Sequence, residues 1–149
     1  MRIRDKIKKP QRPVVAYEIL PPREKDGTLN AYAETISSLL SQTHIDAINI
    51  PEVHDEVGRG ERPVSNQERG EPRKFGMLLQ DIVGIEAIVN RVVVHMPLKK
   101  QMEWIQETYS QFEIDNLIIV GGESSKQKYP GPTVNESLEK ISQDNRRRE

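Results

Sequence analysis

Val14-Val15-Ala16-Tyr17-Glu18-Ile19-Leu20-Pro21-Pro22-Arg23 holds an apolar run interrupted by a single charge and stopped by two prolines. The run is too short for a helix and rich in β-formers, so it reads as a buried strand. Three more runs share its character: 46–50, 91–96 and 116–120. Strands that are apolar on both faces belong to parallel sheets covered by helices. Helical spacing does appear between the runs. Tyr32, Ile36, Leu39 and Leu40 mark a helix over 29–42, with Asp26 or Thr28 as its cap. Phe75, Leu78, Leu79 and Ile82 mark one over 72–86, and Met102, Ile105 and Tyr109 one over 98–112. A fourth starts at Pro132 or Thr133, after the rigid turn Pro130-Gly131-Pro132, and carries Val134, Leu138 and Ile141.

Strand and helix therefore alternate four times, at a spacing of roughly 40 residues and without a repeated motif. The pattern predicts an α/β fold with a parallel sheet and right-handed crossovers. The expected layout is an N-terminal extension over 1–12, a single domain over 13–142 and a polar tail over 143–149, where Arg146-Arg147-Arg148 is a solvated end. The connection 51–71 is long and rich in Gly, Pro and charge, so it cannot be a core element.

The 149 residues suffice for one domain, and 30% of them are charged. The net charge of −1, with both signs interspersed, argues against a nucleic-acid surface. The absence of cysteine excludes disulfides, thiol catalysis and Cys-based zinc sites. His44, His54 and His95 lack metal-ligand spacing, so no metal is expected. Residues 1–9 are basic without an apolar segment, which does not fit a secretory signal. No apolar run approaches the ~20 residues of a membrane span, so a cytoplasmic protein is expected.

The polar residues at the strand ends are the functional candidates: Glu18, Asn49, His95 and Glu123, the last beyond Gly121-Gly122. Carboxyl ends of parallel strands converge on the ligand face. Glu18 lies among apolar neighbours, and a carboxylate desolvated in that way is held protonated, as a proton donor near neutrality. The alternative is an ion pair with Arg23 or a neighbouring strand residue. Gly121-Gly122 permits close backbone approach, although Gly-x-Gly-x-x-Gly and Walker motifs are absent.

Tyr17-Glu18-Ile19-Leu20-Pro21-Pro22-Arg23 resembles the strand-one signature of the methylenetetrahydrofolate reductase family. Asp46-Ala47-Ile48-Asn49-Ile50-Pro51, Val94-His95-Met96-Pro97 and Asn116-Leu117-Ile118-Ile119-Val120-Gly121-Gly122-Glu123 are similar to its second, third and fourth strands. The resemblance covers about residues 13–140 in order. It implies the first half of an eight-stranded (β/α)8 TIM barrel. The implied activity is reduction of 5,10-methylenetetrahydrofolate to 5-methyltetrahydrofolate, with FAD passing hydride from a reduced nicotinamide. Glu18 matches the acid that opens the folate's five-membered ring. His95, Gly122 and Glu123 match cofactor-binding positions, and Asn49 and Glu123 fall to the substrate. The family's strand-four Arg is Gly121 here, its Asp is Glu123 and its strand-two Thr is Pro51, so contacts to FAD are lost and weak affinity is expected. One competing reading is a non-catalytic truncated half-barrel that binds a pterin or a partner subunit without turnover. Another is an open flavodoxin-like domain.

Four strands cannot close a barrel, so the expected state is a homodimer or an assembly with a missing second half. In an isolated half-barrel, Val15, Ile48, Val93 and Ile118 would face water.

Overall fold

A computed structural model describes residues 2–53, 69–122 and 125–146. Its elements follow the order α1 (Ile3–Lys8), β1 (Ala16–Glu18), α2 (Leu29–Leu40), β2 (Ala47–Ile50), α3 (Pro72–Val83), β3 (Ala87–Val92), α4 (Leu98–Phe112), β4 (Asn116–Val120) and α5 (Val134–Arg146). The strands form one all-parallel sheet in the order β1-β2-β3-β4. This is the α/β architecture that the alternating pattern predicts.

Local chemistry sets the helix ends. The Thr28 hydroxyl accepts the Ala31 N–H at 3.2 Å and starts α2. Glu71 does the same for α3, accepting the Lys74 N–H at 2.7 Å with Pro72 in the first turn. Thr133 and Glu136 form a reciprocal capping box ahead of α5. α3 stops at Val83 rather than at 86 because Gly84 takes the left-handed conformation, φ +72°, that ends a helix. α5 runs on to Arg146, past the expected start of the tail.

The third strand lies at Ala87–Val92, not at 91–96. Once Gly84 ends α3, the chain is extended early enough for Ala87 and Val89 to pair beside Ile48 and Ile50. Beyond Val92 the carbonyls are diverted from the ladder. Val93 O accepts the Gln101 amide at 2.7 Å, and Val94 O accepts the Gly131 N–H at 2.7 Å. Residues Val93–His95 therefore close into a 3-10 turn.

Paired residues of a parallel ladder share a face. Ile48, Ile50, Ala87 and Val89 share one with Leu117 and pack on Ala33 and Leu40 of α2, Phe75 and Leu79 of α3, and Trp104 and Phe112 of α4. Leu117 and Ile119 also line a groove with Leu138 and Ile141, which puts α5 on this side too. Sequential strand order with every crossover helix on one face has no reversal point, unlike a flavodoxin-like sheet. The opposite face carries Glu18, Asn49, Ile88, Asn90, Val92, Ile118 and Val120, and among the described residues no helix packs over it. Val15 and Ile118 are each 43% exposed. Ile48 and Val93 are fully buried instead, Ile48 because its register turns it towards the helices and Val93 because it lies in the 3-10 turn against α5.

The N-terminal extension is a basic strap under the amino ends of the strands. Lys6 and Arg12 bind Asp46, just before β2; the Ile3 N–H binds Glu86, just before β3; Arg2 binds Asp115, just before β4. The Asp46 side chain is 1% exposed and accepts the Val15 N–H at 2.9 Å as well. That backbone bond, then Lys6 and Arg12, hold its carboxyl well below the usual carboxylate range. A depressed folded value stabilises the fold above the unfolded carboxyl's pKa of about 4, and this contribution fades as pH falls towards the folded value. Asp46→Asn should therefore lower the melting temperature by several degrees at pH 7, with a smaller difference at pH 3. Thermal unfolding at the two pH values checks this; an equal difference at both would contradict it.

Candidate functional site

Glu18 and Asn49 are register partners on the helix-free face. The Asn49 amide nitrogen donates to Glu18 Oε2 at 3.0 Å, leaving Glu18 Oε1 and the Asn49 oxygen for other partners. Glu18 is exposed, contrary to the burial expected from its apolar neighbours: β1 is an edge strand exposed along its whole length, with β2 on one side only. The desolvation argument for its proton-donor role therefore has no basis in this structure. Arg23 does not pair with Glu18 either; its guanidinium binds Asp26 at 2.5 Å.

A second group lies at the carboxyl ends of β3 and β4. His95 falls in the 3-10 turn rather than at a strand end. Its ring meets Tyr129 edge-on, with centroids 5.7 Å apart. The Tyr129 ring also covers Gly122, where a Cβ would collide with the ring carbons. Gly131 is equally constrained: a Cβ there would collide with the Met96 carbonyl oxygen. The two glycines let the 125–133 segment fold back over the turn after β3. Glu123 lies outside the described residues, as do His54 and most of the long 51–71 connection.

Asn90, Tyr129 and the surroundings of Arg91 were not among the sequence candidates. The Asn90 side chain shares the face of Glu18 and Asn49, one step nearer the carboxyl ends. Arg91 points the other way. It donates to Glu52 Oε1 at 2.5 Å and Gln101 Oε1 at 2.8 Å and lies 4.3 Å over the Trp104 ring. Burial pushes its pKa down, and the Glu52 charge opposes that shift. Glu52, a strand-end residue, is thus committed to the helix side.

Two concave regions lie elsewhere. One, of about 410 Å³, is at the amino ends beside Arg2, Glu86 and Asp115; the other, of about 1080 Å³, runs between α4 and α5. Neither contains a sequence-predicted site residue. Ligands of parallel α/β sheets bind at the carboxyl ends of the strands, so convergence of polar groups there outweighs concavity elsewhere. Among the described residues no group of three His, Cys, Asp or Glu side chains is placed to hold a metal. No helix among them is long and apolar enough to cross a membrane.

The flavin implied by the resemblance can be tested against His95 and Gly122. Tyr129 occupies the space between them and touches both. An isoalloxazine ring does not fit there with Tyr129 in this position. No family model matches the chain, and no curated protein matches it.

Proposed function

We propose that the chain is a methylenetetrahydrofolate reductase-like oxidoreductase of folate one-carbon metabolism, forming 5-methyltetrahydrofolate from 5,10-methylenetetrahydrofolate. The observation that carries this reading is the Glu18–Asn49 pair at the carboxyl ends of β1 and β2, on the face free of helices. The exposure of this carboxyl at the end of β1 supports the reading, since it matches the family acid. In this reading Glu18 gives its proton to the ring nitrogen that departs as the five-membered ring opens, and Asn49 holds the carboxyl in place. The iminium carbon then takes a hydride from a reduced nicotinamide. Bound substrate excludes water from Glu18, which supplies on binding the desolvation absent from the free protein.

The test is incubation of the purified chain with 5,10-methylenetetrahydrofolate and NADH or NADPH, with chromatography of the products. Methyltetrahydrofolate formed at the expense of the nicotinamide supports the reading. Folate binding without product favours the second reading, a half-barrel that binds a pterin without turnover, to which the Tyr129 ring between His95 and Gly122 lends support. Neither binding nor product overturns both.

Tyr129, with Gly121 and Pro51 in place of the family's Arg and Thr, leads to a second expectation. The protein purifies colourless and retains no FAD through gel filtration. A yellow protein with stoichiometric FAD would contradict it.

The finer fold assignment belongs to the same proposal. Sequential parallel strands with helices on one face are the local arrangement of a (β/α)8 barrel, of which four strands are half. The outer edges of β1 and β4 then pair with further strands. A two-fold axis along the barrel would bring β4 of each copy beside β1 of the other in parallel, so a second copy satisfies both edges; a separate half-barrel is the other solution. Sedimentation across a concentration series should show association. A sharp monomer at all concentrations, without dye-binding apolar surface, would refute the half-barrel account.

A further inference from the structure

On the helix-free face Asn49 and Asn90 stand where parallel strands normally carry Val or Ile. Asn49 is 9% exposed, and its side-chain oxygen is buried without a hydrogen-bond partner among the described residues. Its orientation is fixed by chemistry: the amide nitrogen is engaged by the Glu18 carboxylate, which can only accept, so the oxygen must be the free atom. The Asn90 side-chain oxygen is likewise buried and unpartnered. Asn49 pairs with Ile88, and Asn90 follows two residues on, so both amides and Glu18 stand on one face over neighbouring strands. Buried acceptors without donors are costly, and a pair of them on a ligand-side surface calls for a donor from outside.

We infer that Asn49 and Asn90 form an acceptor pair that reads the N–H edge of the substrate's pterin ring, the amide N–H and the neighbouring exocyclic amine, while Glu18 stays with the five-membered ring. The inference rests on the folate reading and adds to it the edge recognised and a residue, Asn90, that contacts it. Two amide acceptors side by side offer no donor to phosphate or carboxylate groups and select a donor-rich heterocycle. Ile88, Val92 and Ile118 lie on the same face and offer apolar surface to the flat of such a ring. Ile118, the register partner of Asn90, is 43% exposed.

The experiment is a fluorescence titration of the full chain with pterin and with lumazine, in which a carbonyl replaces the exocyclic amine and turns a donor into an acceptor. The wild type should bind pterin about tenfold or more tightly than lumazine. Asn90→Ala should lose most of that preference, and Asn90→Asp, which keeps an acceptor, should retain it. A purely structural Asn90 would leave the preference unchanged in both variants, and circular dichroism identifies any variant that has failed to fold. Pterin binding with equal lumazine affinity, or a preference untouched in folded Asn90→Ala, overturns the inference and leaves the folate reading standing. Failure of the wild type to bind either compound overturns both.

Discussion

Glu18→Gln is expected to keep the fold and to lower the rate of methyltetrahydrofolate formation by about 10²–10⁴-fold, the usual cost of losing a general acid. The geometry makes the variant a clean probe. Glu18 lies on an exposed edge strand and contributes nothing to the core, so the substitution has little to destabilise. The Asn49 amide nitrogen donates to the Glu18 carboxyl at 3.0 Å, and a glutamine oxygen in the same place accepts the same bond. Side-chain position is preserved and only the transferable proton is lost. Substrate affinity should change far less than turnover, because the variant retains an acceptor at the contact with Asn49. Equal falls in kcat and kcat/KM with an unaltered melting temperature would be the signature of a group acting in the transition state. Turnover equal to wild type in an active preparation would end the assignment.

The sequence carried the alternation of strands and helices, because apolar runs and 3.6-residue spacing are local signals. Features that depend on what lies across the sheet were not legible. The burial expected for Glu18 assumed that an apolar strand is covered on both sides, whereas β1 is an edge. The third strand was read as 91–96 because Val92-Val93-Val94 is its most apolar part; in the fold, Gln101 and Gly131 claim the carbonyls of Val93 and Val94. Asn90 falls outside the strand expected over 91–96, so its face on the sheet is not legible from the apolar run. Gly122 was read as room for a ligand, but the occupant of that room is Tyr129, brought there by a chain reversal that no periodicity encodes. The basic residues of the N-terminus had no evident role until Asp46, Glu86 and Asp115 were found together under the strands.

Glu52→Ala is expected to cost about 3–5 kcal/mol, a large part of the roughly 5–15 kcal/mol available to a domain. Glu52 and Arg91 are 39 residues apart in sequence and meet at 2.5 Å, with side chains 12% and 5% exposed. Removal of the carboxylate leaves a guanidinium that burial already disfavours, with Gln101 and the Trp104 face as its remaining partners. The second Glu52 oxygen is lost as well; it accepts the Val92 N–H at 2.7 Å and holds the carboxyl end of β3. Glu52→Leu combined with Arg91→Met should recover most of the stability, because an apolar pair of similar volume leaves no unpaired charge. Urea unfolding measures both variants. Trp104, the only tryptophan, lies between Arg91 and Arg73 at 4.3 and 4.5 Å and reports locally on the packing of this cluster. A loss below about 1 kcal/mol in Glu52→Ala would place the pair among surface ion pairs. Asn90 precedes Arg91 and faces the opposite side of the same strand. If Glu52 fixes this end of β3, the double variant should keep its stability yet weaken pterin binding, since the Val92 tether is absent from it.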